Sequence, residues 1–447
     1  MLSSARCARI INKAGGDSAE VCETLPARLS VFGLTAATRG SEDEASMKVT
    51  DESPQRAFQC LMVSVACICW AGLTFGATYP PQQTPGSAKT ANHASDVKHV
   101  QIEKALLEVH RKQRNVGLSA AVLLHGQMLY SGSLDYADLE HQVKVSPQTR
   151  FAIASVTKAF TGVVLLKLYD SRKIDLDAPI QRYVPSFPVK AGGAITPRLL
   201  AAHLAGIRHW GNERTPDLYA NHFDNVKDVL RLFQNDPLVA EPGTKYSYSS
   251  CGYNLLAAAI QSAAGKPFEA YVRETILAPL CLKNTQFDDV RRVIGNRSRR
   301  YSFYNPTTFE ESTDLFRVPD WDYSHNMAGG NMLSTAEDLV QFGNALLRPG
   351  LLTRSSLDLL YARPKTAHAE SPMSFGWFVG DPRATRKEIH ITGSNPGVQA
   401  AIYVYPEVEL VIAVLANTWG IGSRSAEMTS ALPERIAGIC MGAASGR

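Results

Sequence analysis

Apolar runs with strand character stand at both ends of one globular body, and helical patterns fill the stretch between them. Near its front, 117–124 (GLSAAVLL), the pair His125-Gly126 and 127–131 predict a β-hairpin. Near its end, 374–379, 387–392, 398–405 and 409–416 predict four more short strands, and 423–440 a closing helix. Before the hairpin, 97–114 sets Val100, Ile102, Leu106, Leu107 and Val109 among charges, the pattern of an amphipathic helix. After it, 151–170 is mostly apolar with a Ser/Thr-rich first turn, and predicts a buried helix. The expected class is α+β. An antiparallel sheet built from the chain's two extremities is flanked by helices, and an inserted, mainly helical lobe makes a second lobe.

Composition removes several functions. The chain of 447 residues carries 46 basic and 42 acidic side chains, a net charge of +4 with no clustered basic face, so nucleic acid is not an expected partner. Eight cysteines are too scattered for a disulfide framework. No CxxC occurs, so a zinc site or a thioredoxin-type dithiol has little support, and no HExxH, GxGxxG or Walker loop occurs either. Arg291, Arg292, Arg297, Arg299 and Arg300 are expected to form a solvated face.

The front of the chain is of another kind. Residues 57–77 are 21 residues without a charge, enough for a helix that spans a bilayer. The expected order is a poorly ordered polar segment (1–56), a transmembrane or signal-anchor helix (57–78), a Pro-rich linker (79–96) and a globular domain (97–447). That order predicts a membrane-associated, extracytoplasmic domain. A cleaved signal starting at Met47 and a mitochondrial segment are the alternatives, the latter suggested by Arg6, Arg9 and Lys13 with no acid among the first sixteen residues.

The chemistry begins at Ser155-Val156-Thr157-Lys158. At helical spacing these two residues share a face, so the amine reaches the hydroxyl. Apolar neighbours (Phe151, Ile153, Ala159, Phe160) desolvate the lysine, which favours its neutral, basic form. A second Ser-x-x-Lys at Ser95-Lys98 has no apolar helix behind it. Tyr248-Ser249-Ser250 follows a Pro/Gly turn and precedes a helix near Gly252, and a loop tyrosine can assist proton transfer. Thr392-Gly393-Ser394 ends a strand, where glycine permits close approach and the edge offers an oxyanion N–H. His203, Arg208 and His209 form a loop cluster, expected to pack and cap.

Ser-x-x-Lys, then Tyr-x-Ser, then Thr-Gly in that order resembles the serine β-lactamase and penicillin-binding-protein superfamily, in its class C-like branch. Residues 173–188, 202–209, 243–256 and 328–347 are similar to segments of that branch. Residues 202–209, 296–301 and the tyrosine loop look most like the mitochondrial serine β-lactamase-like subgroup and its bacterial relatives. The resemblance implies a β-lactamase/transpeptidase-like fold with a cleft between two lobes, and neither a metal nor a cofactor. It implies Ser155 as acylated nucleophile, Lys158 and Tyr248 as general base and acid, Ser250 against substrate, and the N–H groups of Ser155 and Ser394 as oxyanion hole. The third motif departs from the family pattern. A gapless alignment puts Ile391 where Lys or His is usual, and His390 one residue early, on the opposite strand face unless a bulge restores it.

The expected function is a serine hydrolase acting through an acyl-serine on peptide or amide bonds, as a peptidase or D-alanyl carboxypeptidase-like enzyme. Carboxylesterase, β-lactamase and a non-catalytic scaffold are the alternatives. A small molecule or peptide is the expected partner, besides the membrane; the sequence does not disclose the oligomeric state.

Overall fold

The structure is a computed structural model that describes residues 86–442 apart from 212–215, 309, 382–385 and 421–425. The chain divides into two units, Met1–Pro80 and Pro81–Arg447, and the second holds everything below. The polar segment 1–56 and the apolar segment 57–78 lie outside the described residues. Among the described residues no helix is long and apolar enough to cross a membrane. The expected linker 79–96 is shorter than its composition suggested, because the first helix, α1 (Gly86–Gln113), already starts inside it.

One eight-stranded sheet organises the domain. Its strands are β1 (Gly117–Leu124), β2 (Gln127–Asp138), β3 (Val143–Lys144), β4 (Met373–Ser374), β5 (Trp377–Val379), β6 (Ile389–Asn395), β7 (Val398–Tyr405) and β8 (Leu410–Ala416). Their spatial order is β3-β2-β1-β8-β7-β6-β5-β4, and every pair is antiparallel. The β1/β8 register (Leu118 opposite Ala416 through Leu124 opposite Leu410) joins the chain's two extremities in mid-sheet. His125 and Gly126, both at positive φ (52° and 75°), make the β1–β2 turn, the geometry that suits the twist of a two-residue hairpin.

Both faces of the sheet are covered, which explains why β7 and β8 read as continuous apolar runs. One face packs Leu118, Ala120, Val122, Tyr403, Ile412 and Val414 on Ile102 and Leu106 of α1 and on Ile436 of the closing helix. The other packs Ala121, Leu123, Ile391, Ile402, Val404 and Val411 on the helical lobe. That lobe includes α2 (Thr157–Asp170), α3 (Ser250–Ala264) and α4 (Ala336–Asn344), where Phe160 and Phe342 stack at 4.0 Å between ring centroids.

Two expected elements are broken. The expected helix 151–170 is a short strand, Phe151–Ala152, a 3-10 turn, Ala154–Val156, and then α2. The expected strand 374–379 is a hairpin, β4 and β5, folded at Phe375-Gly376. Gly376 has φ +88°, and a Cβ there would lie 2.2 Å from the Lys158 carbonyl oxygen, so only glycine lets this turn lie on α2. The arginine run is no uniform solvated face either. Arg297 and Arg300 both donate to Asp288 Oδ2 at 2.8 Å, and Arg300 is buried.

Candidate active site

Ser155 sits where a strand gives way to a helix. Phe151–Ala152 pairs with Met332–Ser334, and the Ile153 N–H donates to the Met332 carbonyl at 3.0 Å. Ala154 then takes φ +44°, a conformation that costs a non-glycine residue about 1–3 kcal/mol. The turn this forces brings Ser155 up half-buried between buried neighbours, at the N-terminal end of α2. Lys158, one turn on, is wholly buried.

Three oxygens surround the lysine amine. Nζ lies 2.7 Å from the Gly329 carbonyl oxygen, 3.0 Å from Ser250 Oγ and 3.3 Å from Ser155 Oγ. No salt bridge to Lys158 occurs among the described residues, and its ammonium would have to be held without water. Burial accordingly pushes its pKa down to about 7. On the other side of Ser155, the Tyr248 hydroxyl donates to Oγ at 2.9 Å. Burial pushes this phenol up to about 12, although the bond to Ser155 opposes the shift, so near neutrality it keeps its proton.

The tyrosine loop is held by two histidines. His203 Nδ1 accepts the Ser249 N–H at 2.9 Å, and His209 Nδ1 accepts the Ser250 N–H at 3.1 Å. Both donors belong to the start of α3, where helical N–H groups lack intrahelical partners. The histidines therefore cap, as expected, and they also fix Tyr248, on whose ring His203 stacks at 4.4 Å. Burial holds the His203 imidazole far below its ordinary pKa, with the Lys158 charge adding to the effect, which keeps the ring neutral and able to accept.

The third wall is β6. A Cβ on Gly393 would lie 2.1 Å from the Ile153 carbonyl oxygen and 3.0 Å from the Ser155 nitrogen, so glycine alone permits this approach. The Gly380 N–H donates to the Glu388 carbonyl, which puts the main-chain groups of Glu388 on the edge away from β7. With period two and an unbroken β6/β7 register, the N–H of Ser394 points to that same edge, where β5 no longer pairs.

The same register corrects the third motif. His390 lies opposite Tyr403 and Thr392 opposite Ala401, both on the sheet face turned to α1. No bulge interrupts β6, so neither side chain joins Ser155. His390 stacks between Tyr403 (4.7 Å) and Phe378 (5.4 Å) and pairs with Glu388 at 3.2 Å. Ile391, on the site's face, is wholly buried in the core. Ser250, expected to meet substrate, is buried and turned to Lys158. The second Ser-x-x-Lys is separate, since Lys98 Nζ donates to the Cys440 carbonyl at 2.7 Å and Ser95 is exposed. Sequence reasoning missed the Gly329 carbonyl as a lysine partner. A main-chain acceptor leaves no mark in side-chain identity.

Comparison with known proteins shows the family and the fold. The family profile described as Beta-lactamase matches residues 100–432. Human "Serine beta-lactamase-like protein LACTB, mitochondrial" is 29% identical in an alignment of 439 positions that covers 74% of this chain and 79% of the human protein. Among solved structures, D-amino acid amidase from Ochrobactrum anthropi SV3, complexed with D-phenylalanine, superposes with a TM-score of 0.65 at 22% identity, covering 77% of this chain and all of that one. EstCE1, described as a hydrolase with promiscuous acyltransferase activity, gives 0.64 at 21% identity, covering 78% of this chain and 99% of that one.

Proposed function

We propose, for a chain that belongs to the beta-lactamase family, that Ser155 is the nucleophile of an acyl-transfer reaction on amide bonds. The observation that carries this is the position of Ser155 Oγ, 2.9 Å from a phenol that keeps its proton and 3.3 Å from an amine that sheds its own near neutrality.

The hydrogen-bond inventory supports one direction of proton flow. A neutral amine has two N–H groups and one lone pair. The Gly329 carbonyl and Ser250 Oγ, at the shorter distances, take the two N–H groups. The lone pair is left for the Ser155 hydroxyl. Tyr248 already donates to Oγ, so the serine proton is free to point at Lys158. As Oγ forms its bond to the acyl carbon, that proton passes to Lys158 and the carbonyl π pair moves onto oxygen. The oxyanion is met by the N–H groups of Ser155 and Ser394. Collapse breaks the bond to the leaving nitrogen, which takes the Tyr248 proton, and Lys158 returns its proton to the phenolate. Water then replaces the leaving group and hydrolyses the acyl-serine by the reverse proton path.

The site bears on substrate as well. With Ile391 in the core and His390 on the far face, the third motif offers no cation to a substrate carboxylate. A neutral acyl donor suits it better than a penicillin or a peptide with a free C-terminus. The amidase likeness favours an amide, and the EstCE1 likeness keeps an ester as the second reading. The name of the human relative favours a mitochondrial address over the bacterial envelope, which organelle fractionation with a C-terminal tag would test.

Intact-mass analysis after treatment with a fluorophosphonate tests the proposal. One adduct on the wild type and none on Ser155→Ala is expected. No adduct on a folded wild type, or an equal one on Ser155→Ala, leaves a non-catalytic scaffold. Turnover of amino-acid p-nitroanilides against p-nitrophenyl esters then separates amidase from esterase.

A further inference from the structure

A cavity of about 790 Å³ opens in the helical lobe, and neither Ser155, Lys158, Tyr248 nor Ser394 lines it. The volume lies within the range of roughly 300–1,000 Å³ usual for small-ligand sites. Its charges do not balance internally. Arg291 is matched by Asp289 and Asp224. Arg273, Lys283 and Arg292 are exposed at the rim, and no ion pair to any of them occurs among the described residues. Glu269 is the lining carboxyl without such a pair; burial and then the nearby Asp289 charge raise its pKa, opposed by the charges of Arg273, His222 and Arg292, so one carboxyl faces the three rim cations. The balance at the rim is cationic.

The wall also holds an unused acceptor. Asp288 is 7% exposed and gives Oδ2 to Arg297 and Arg300, yet its buried Oδ1 has no protein partner. An unpaired acceptor at such a position is destabilising unless something donates to it.

We infer that this cavity binds a small organic anion bearing hydroxyl or amino donors, its anionic group held by Arg273, Lys283 and Arg292 and a donor satisfying Asp288. The cavity is also tied to the reaction centre. The Asp288 N–H donates to the Asn331 carbonyl and Asn331 Nδ2 donates back to the Asp288 carbonyl, both at 2.9 Å. Asn331 stands two residues after Gly329, whose carbonyl holds Lys158, and one before Met332, which holds Ile153. A ligand that fixes Asp288 therefore biases the Lys158 amine, a coupling that rests on the catalytic reading although binding does not.

The test separates the two. Calorimetry on the full-length Ser155→Ala protein uses glycerol 3-phosphate, glycerate, inorganic phosphate and glycerol. Glycerol 3-phosphate or glycerate should bind about tenfold more tightly than phosphate or glycerol, and whichever binds identifies the anion as phosphate or carboxylate. Combined Arg273→Glu and Arg292→Glu, both at exposed positions, should weaken that binding about tenfold or more. No binding by any probe, equal binding of phosphate alone, or indifference to the charge reversal overturns the site. On the wild type, a bound probe should change the rate of fluorophosphonate labelling about fivefold or more. An unchanged rate overturns the coupling. A wild type that is never labelled overturns the catalytic reading and leaves the binding result standing.

Discussion

The buried lysine gives the most exacting prediction. If the neutral Lys158 amine takes the Ser155 proton, the second-order rate of fluorophosphonate labelling follows the neutral fraction of that amine. With a pKa of about 7 the rate should level off above that pH. Below it the rate should fall about tenfold per pH unit, to about one hundredth of the plateau at pH 5. An amine at the ordinary value of 10.5 would instead leave less than about one part in a thousand neutral at pH 7, and labelling would climb through pH 10. Lys158→Met keeps an unbranched side chain, one atom shorter, and removes the base. It should lower the labelling rate by about 10²–10⁴ and abolish the pH dependence below 7. Stability supplies an independent reading of the same group. The folded amine loses its proton near 7 and the unfolded one near 10.5, so unfolding takes up a proton between those values. Wild-type stability should therefore rise with pH across that window, by at most about 1.4 kcal/mol per unit, and Lys158→Met should lack the rise. Chemical denaturation at pH 7, 8 and 9 measures it. Labelling that climbs steadily to pH 10, or a Lys158→Met protein with the wild-type pH profile, refutes the assignment of the base.

Four further outcomes follow from the same geometry. Tyr248→Phe removes the hydroxyl that donates to Ser155 Oγ and should slow p-nitroanilide turnover by about 10²–10⁴ with little change in melting temperature. His203→Ala leaves the Ser249 N–H without its acceptor and Tyr248 without its stacking partner; denaturant titration should show a loss of about 1–3 kcal/mol, and turnover should fall with it. Gly393→Ala drives a methyl against the Ile153 carbonyl and the Ser155 nitrogen, so labelling of Ser155 should collapse and stability drop by about 1–3 kcal/mol. His390→Ala, by contrast, acts on the far face of the sheet and should leave labelling and turnover at wild-type rates; a large loss of activity there would mean that the β6 register is wrong.

Local pattern determined a good deal of this protein. Alternation, apolar runs and a Gly-containing turn marked the hairpin and the strands β6, β7 and β8, because strand and turn preferences act over a few residues. The spacing of Ser155 and Lys158 put both on one helical face, and the apolar residues around them foretold a dehydrated amine. Tertiary structure decided what depends on distant approach. Whether 374–379 stayed one strand turned on Gly376 meeting the Lys158 carbonyl, a contact between segments some two hundred positions apart in number. Which face His390 took depended on its register with Tyr403, and a bulge that would have reversed it leaves no signature in one strand read alone. The lysine's closest partner is a main-chain carbonyl at Gly329, equally present at every residue, so only packing selects it.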